Sequence, residues 1–394
     1  MQRNKQAIQG RWAVSAMFAV NGFSTGAWAP QIPLLLPRYQ ITEATLGLMI
    51  LVLGLGAVGA MLFAGRLISA YGSRPVLRCF AFAYIVTLPL VIFAPTIWLA
   101  ALAMALFGAV MGSMDVAMNA NAVEVERRLG YAIMSASHGF WSLGAFVGGV
   151  CGSYIIATWG AEVQALCVGT VTAVVVMAAS PRLIAEVPQS PKPDAVRQPI
   201  FTRDLSLWTL GLLALFSMVP EGAVMDWAAI YLNKELGADL FRSGLAFAFF
   251  AGVMAIMRFV GDRIRNRFGA VKTIRYSGLI SAVGMLIAAT SPTYVFAIIG
   301  FSISGIGVAN MIPILFSAAG NQPGHNPGVA ISTVTMLGYA GILFAPSIIG
   351  AIAEHIGFRV TYAALSLMLL FVAWHAGRAV AADGVRAGTQ RATP

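Results

Sequence analysis

The chain has 394 residues, 59% of them hydrophobic and only 10% charged, with a formal net charge of +10 and a mean hydropathy of +0.81. Soluble domains carry roughly 25% charged residues, and a surface with so few would be largely apolar and would aggregate. An ordinary soluble enzyme, a secreted disulfide scaffold and a disordered chain are thereby excluded, and the lipid bilayer becomes the solvent for most of the molecule.

A membrane helix needs roughly 20 apolar residues, and with its loop about 33, so the chain has room for about twelve. The apolar runs are continuous and do not alternate with period two, which argues against a β-barrel. In chain order they predict spans near 12–36, 45–68, 76–94, 97–122, 131–157 and 163–181. A second set follows near 206–232, 243–262, 273–290, 294–318, 328–352 and 358–379. Between the sets, Arg182 to Asp204 is polar and contains Pro188, Pro191, Pro193 and Pro199, which reads as a linker. The expected architecture is an all-α membrane protein of twelve transmembrane helices. Its parts are an N-terminal six-helix bundle (1–181), a linker (182–205) and a C-terminal six-helix bundle (206–394). Forty-one Gly and 18 Met suit helices that approach closely and slide. Arg3, Lys5 and Arg11 precede a first span with no small-residue cleavage site, so no cleavable signal peptide is expected.

The charge sorts by face. Of 25 Lys and Arg, 21 fall on the side of the two termini, and only Arg38, Lys234, Arg242 and Arg359 fall opposite. This positive-inside bias places both termini in the cytoplasm of a bacterial-type inner membrane. Cations spread over six separate segments are an orientation signal and argue against nucleic-acid binding.

The chain also repeats. Gly65-Arg-Leu-Ile-Ser-Ala-Tyr-Gly72 resembles Gly261-Asp-Arg-Ile-Arg-Asn-Arg-Phe-Gly269, and the closing glycines lie 197 residues apart (269 − 72). Gly144-Ala-Phe-Val-Gly148-Gly149 has a rough counterpart in Ala345-Pro-Ser-Ile-Ile-Gly350. Two parallel six-helix repeats are the pattern of one class of secondary transporter.

These segments resemble the signature of the major facilitator superfamily, a glycine- and arginine-rich loop after the second span with a weaker copy after the eighth. The first copy is Gly65, Gly72 and Arg74, with Ser69 and Ala70 where the family has Asp and Arg. The second is Arg258, Gly261, Asp262, Arg263, Arg267 and Gly269. The resemblance covers essentially the whole chain. Asp115-Val-Ala-Met-Asn119-Ala-Asn121, Ser137-His138-Gly-Phe-Trp141-Ser-Leu-Gly144 and Glu221-Gly-Ala-Val-Met-Asp226-Trp227 are similar to the fucose-permease-like branch. The resemblance implies a central cavity lined by spans one, four, seven and ten that opens alternately to each face, and a cytoplasmic gate at the two signature segments. Drug antiporters of the superfamily carry a proline in the span-five glycine motif. This chain has none there, which tilts against drug efflux.

Ionisable residues inside hydrocarbon are costly and mark function. Asp115, Glu221 and Asp226 fall clearly within spans. Asp115 lies about seven residues before the fourth span's cytoplasmic exit and His138 about seven after the fifth span's entry, near 10 Å deep at ~1.5 Å per residue. They are expected to meet as a carboxylate–imidazole pair, either titrating as access changes or forming a static polar lock. Glu221 and Asp226 are five residues apart, about 140° around the helix, and do not share a face. Glu221 has the depth for coupling, and Asp226 suits an outer gate; packing glue is the alternative for both. Candidate solute contacts are Asn21, Trp28, Gln31, Asn119, Trp141, Trp227, Asn310 and Tyr339, amides and aromatics of the kind a sugar-like ligand needs. Pro30, Pro33 and Pro37, with Pro220 and Pro313, are expected to bend their helices.

Asp262 with Arg263 and Arg267 would form a cytoplasmic ion-pair latch, or would serve orientation alone. Cys79, Cys151 and Cys167 offer no disulfide framework, and His325, His355 and His375 show no metal-site spacing. No phosphate loop suggests ATP drive, so no cofactor is expected and a proton gradient or membrane potential supplies the energy. The reading is proton-coupled uptake of a small polar, sugar-like solute by a monomer, with Asp115 as the main proton site and Glu221 second. Proton-driven efflux of an amphipathic compound and a non-transporting membrane sensor are the alternatives. Efflux predicts a Met- and Phe-rich cavity with one acid, and uptake predicts a cluster of amides.

Overall fold

The computed structural model describes residues 2–129, 133–185, 204–323 and 327–383, and every regular element among them is helical. Helix α1, Gln2–Trp28, ends where Pro30 removes a backbone donor. A 3₁₀ turn, Ala29–Gln31, leads into the short α2, Ile32–Tyr39, which closes on Gln40 at φ 53°. The chain continues with α3 (Glu43–Tyr71), α4 (Ser73–Ile92), α5 (Ile97–Leu129), α6 (Met134–Trp159) and α7 (Ala161–Ala179). The second half holds α8 (Leu205–Leu236), α9 (Leu240–Phe268), α10 (Ala270–Thr290), α11 (Tyr294–Gly320) and α12 (Pro327–Trp374). Thr42, Asp204 and Asp239 cap α3, α8 and α9 by accepting backbone N–H bonds at 3.3, 2.7 and 2.8 Å. Of the predicted linker, Arg182 ends a 3₁₀ turn and Leu205 begins α8, while 186–203 lie outside the described residues.

Ten helices, α3 to α12, are long and apolar enough to cross a membrane. The last is interrupted at Gly357, φ 82°, and so supplies two crossings. The twelfth is α1, less apolar because Ser15, Asn21, Ser24 and Thr25 punctuate it.

The corners carry the repeat. Gly72 (φ 83°, ψ 162°) and Gly269 (82°, 163°) each join two helices through one residue, as do Gly160 (90°, 171°) and Gly357 (82°, 161°). A side chain would strain this backbone, so glycine is required. Gly357 follows Gly160 by the same 197 residues (357 − 160) that separate Gly269 from Gly72. Helix directions place the N-terminus, Gly72 and Gly269 on one face, the basic face, and Gly160, Gly357, Glu43 and Lys234 on the opposite, far face.

Within the first half, α1 packs on α6 backbone to backbone. A Cβ on Gly22 or Gly26 would fall 1.9 or 2.0 Å from the carbonyl oxygen of Trp141 or Ala145, and one on Gly144 or Gly148 would fall 2.0 Å from that of Ala19 or Phe23. With no hydrophobic drive between helices in lipid, such close approach supplies the packing energy. It also fixes Asn21 beside Trp141. Between the halves, α6 packs on α9 and α3 on the first part of α12.

Candidate functional site

The seam between the halves is shut at the far face. Lys234 pairs with Glu43, and the Ala44 N–H donates to Glu354 Oε2 at 2.9 Å. A Cβ on Gly47 would meet the Pro346 carbonyl and the Ser347 Cα at 2.9 Å. The α6–α9 contact runs from Ser153 against Gly244 to Gly139 against Phe259. The α3–α12 contact fades after Gly54 and Leu343, and a Cβ on Gly59 would meet nothing within 4 Å. Among the described residues the seam thus continues its α6–α9 contact toward the basic face while its α3–α12 contact loosens.

Polar side chains gather along it. Trp141 Nε1 donates to Asn21 Oδ1 at 2.9 Å, and Asn21 Nδ2 lies 3.5 Å from the Met111 carbonyl. Asn119 donates to the Asp115 carbonyl at 2.9 Å, and His138 Nε2 lies 3.2 Å from Asn119 Oδ1. Arg258 of α9 reaches across to Ser142 Oγ at 2.8 Å and lies 3.5 Å from Glu221 Oε1. Tyr339 stands within electrostatic range of both Asp115 and Glu221, and His138 within range of Arg258. Asp115, Asn119, His138, Trp141, Glu221, Arg258 and Tyr339 are all half-buried. Acids, amides, an imidazole, a guanidinium, a phenol and an indole N–H thus face one another across the halves, an arrangement able to exchange hydrogen bonds and protons with a polar solute.

Two expectations need correction. His138 bonds Asn119 and not Asp115. Helix α5 continues to Leu129, which leaves Asp115 14 residues from its end (129 − 115), while His138 is only four residues into α6 (138 − 134). Asn119, one turn nearer the basic face, is the residue that comes level with the imidazole. Arg258 was expected at the cytoplasmic gate, but α9 runs to Phe268, ten residues beyond it (268 − 258), so Arg258 belongs to the seam.

Other candidates are held away from the seam. Gln31 Nε2 donates to Gln164 Oε1 at 2.6 Å and to the Ala161 carbonyl at 3.0 Å, and the residue is fully buried at the far end of α7. Trp28 is buried edge-on against Phe107, with ring centroids 5.9 Å apart. Asn310 fills the space that Gly261 leaves, 1.9 Å from where a Cβ would stand, and its Nδ2 lies 3.5 Å from the Met257 carbonyl. Asp226 and Trp227 lie in a cleft between α8 and α12 too tight for a water molecule, bounded by Ile342, Ala345, Pro346 and Ile349. Glu221 and Asp226 do face apart, as their spacing requires.

At the basic face, Arg74 Nη2 donates to the Pro181 carbonyl at 3.2 Å. Arg263 and Arg267 are exposed, with Arg267 over the Phe268 ring, and the Asp262 side chain lies outside the described residues. The ties seen there are Arg265 to Ser317 Oγ and the Ala382 carbonyl, both at 2.8 Å, and Asp383 accepting the Ala270 N–H at 2.8 Å. Sequence reasoning passed over Ser142 and the depth of Arg258. The signal was present: Arg258 follows the unbroken apolar run from Ala246 to Met257.

Twelve helical spans in two repeats, with Asp115, Glu221 and Arg258 on the seam between them, are the architecture of a membrane transporter. The family model for the Major Facilitator Superfamily matches residues 14–346 and 227–392. The chain belongs to that superfamily. It is 36% identical over 359 residues to an uncharacterised MFS-type transporter of Yersinia pestis, covering 90% of this chain and 92% of that one. It is 31% identical over 351 residues to the membrane protein MosC of Rhizobium meliloti, covering 88% and 84%. Among solved structures it resembles a mutant of the nucleoside transporter NupG, with a TM-score of 0.73, 12% identity and coverage of 95% and 99%. It also resembles a bacterial homologue of the human lysosomal transporter Spinster, with a TM-score of 0.69, 14% identity and coverage of 94% and 96%. The chain is a multi-pass membrane transporter and not an enzyme.

Proposed function

We propose that this transporter imports a small polar, sugar-like solute together with protons, as a monomer in a bacterial inner membrane, and that it belongs to the fucose-permease-like branch. The halves 1–181 and 206–394, joined by the 182–205 linker, would rock as units about the seam. The positive-inside bias makes the basic face cytoplasmic in this reading, so the contacts of Lys234 with Glu43 and of Ala44 with Glu354 close the outer face. The composition of the seam carries the reading. A drug pocket would present Met and Phe around one acid. This seam carries Phe140 and Phe259 but also two acids, Asp115 and Glu221, with Asn21, Asn119, His138, Trp141 and Tyr339, which suits a solute rich in hydroxyls.

Asp115 is the main proton site. Its carboxyl neighbours Asn119, and no cation pairs with it among the described residues. A charge in that position is uncompensated within the membrane, and a proton neutralises it at least cost. Glu221, which shares Arg258, is the second site. The proton gradient or the membrane potential is the energy source.

Proteoliposomes with an inward proton gradient test this against D-glucose, D-glucosamine, D-glucuronate and myo-inositol. At least one should accumulate, and a protonophore should abolish the accumulation. Extrusion of ethidium by energised everted vesicles, with none of the polar solutes moved, would replace uptake by efflux.

A further inference from the structure

We infer that Arg258 determines specificity, and that the transported solute carries a carboxylate, which Arg258 takes when a proton on Glu221 releases it. This rests on proton-coupled uptake and narrows its solute from polar to acidic.

The geometry of Arg258 is that of a cation held in waiting. It lies about 15 Å from the end of α9, counted at ~1.5 Å per residue, where an idle guanidinium would be costly. Its short bond goes to a neutral group, Ser142 Oγ at 2.8 Å, on the other half. Its contact with Glu221 is single and slack, Nη2 to Oε1 at 3.5 Å. A guanidinium that grips a carboxylate does so through two bonds of about 2.7–2.9 Å. The Arg258 side chain is 18% exposed and that of Glu221 27%, so both reach the space between the halves. Ser142 is fully buried and accepts from Arg258, which fixes where the guanidinium stands. Trp141, the next residue on α6, and Asn119, beside His138, bring further donors and acceptors for the rest of the solute.

Charge balance selects the solute. In the empty seam, Glu221 as carboxylate neutralises Arg258. In the loaded seam, a proton on Glu221 removes that charge and the solute's carboxylate replaces it. The pair is neutral at both stages, with one proton and one anion entering together, and no uncompensated charge is buried. A neutral sugar gives the guanidinium nothing to exchange Glu221 for. An amine would place a second cation beside it. Asp115 stands outside this exchange and carries the driving proton.

Thermal-shift titrations of the purified full-length protein with D-glucuronate, D-glucose and D-glucosamine, at fixed ionic strength and several pH values, test the assignment. Wild type should be stabilised by glucuronate in preference to the other two, and more strongly as pH falls. Glu221→Gln should keep the glucuronate effect and weaken its pH dependence, leaving only the part that Asp115 carries. Arg258→Lys, which retains the charge but not the fork, should weaken glucuronate binding about tenfold or more, with the unliganded melting temperature confirming that it folds. A preference for glucose or glucosamine, no shift with any of the three, or full glucuronate binding by Arg258→Lys would overturn the inference. Proton-driven accumulation of glucose with glucuronate ignored would sink this inference and leave the proposed uptake standing. Failure of every polar solute in the proteoliposomes would sink both.

Discussion

Opening the far face requires release of two contacts between the halves, and their strength can be worked out. The Lys234–Glu43 pair has side chains 47% and 13% exposed, so it contributes about 0.2–1 kcal/mol. The Glu354 carboxylate accepts the first-turn N–H of Ala44 at 2.9 Å from a fully exposed position. Removing both, in Lys234→Ala with Glu354→Ala, should favour the outward-open state, the lost ion pair alone by about 0.2–1 kcal/mol, a factor of about 1.4–5 in the population ratio. Ser347 reports this, because its backbone packs against Gly47 across the closed seam. With Cys79, Cys151 and Cys167 replaced by Ser, Ser347→Cys should react with a membrane-impermeant maleimide faster in the double variant, by the same factor. Concentrated salt should reproduce part of the gain by screening the pair. A labelling rate no faster than the parent's at low salt would refute the reasoning.

Three further outcomes follow from packing and backbone geometry. Gly148→Val places a Cβ 2.0 Å from the Phe23 carbonyl oxygen and should cost about 1–3 kcal/mol or more by forcing α1 from α6, read as a lower melting temperature. Trp141→Phe removes the N–H that holds Asn21 Oδ1 at 2.9 Å; in a membrane bundle this should cost about 0.6–1.7 kcal/mol in the same assay. Gly357→Ala, at φ 82° and ψ 161°, should cost about 1–3 kcal/mol, and Gly160→Ala at the matching corner should behave alike. Unequal effects at those two corners would argue against the repeat.

What the sequence made legible was whatever periodicity and hydrocarbon dictate. Twelve apolar runs gave twelve crossings, and the glycine spacing of 197 residues anticipated two corners that share one backbone conformation. Proline placement anticipated the break after Trp28. Less legible was anything that depends on where a helix ends or which neighbour a side chain meets. Helix α5 continues seven residues past its expected limit of 122 (129 − 122), through Val123 to Leu129, because charged residues are tolerated in a helix that has left the hydrocarbon. That extension moved His138 from Asp115 to Asn119. Arg258 fell inside the span expected near 243–262, yet its charge placed it with the cytoplasmic gate segment. Gln31, Trp227 and Asn310 have the chemistry of solute ligands, yet their faces turn to neighbouring helices, and a single sequence does not encode helix rotation.

The central claim is that Asp115 binds the driving proton within a solute-transporting seam. It is tested most directly in proteoliposomes enclosing a pH-sensitive dye, by adding a solute that stabilises the purified protein. Wild type should acidify the lumen as the solute enters, and accumulation should rise with the imposed proton gradient. Asp115→Asn, which leaves the Asn119 bond to the backbone carbonyl at this position intact, should still exchange solute across the membrane but neither acidify the lumen nor accumulate against a gradient. Solute-driven acidification by Asp115→Asn equal to wild type, with the same dependence on the pH gradient, would contradict the account.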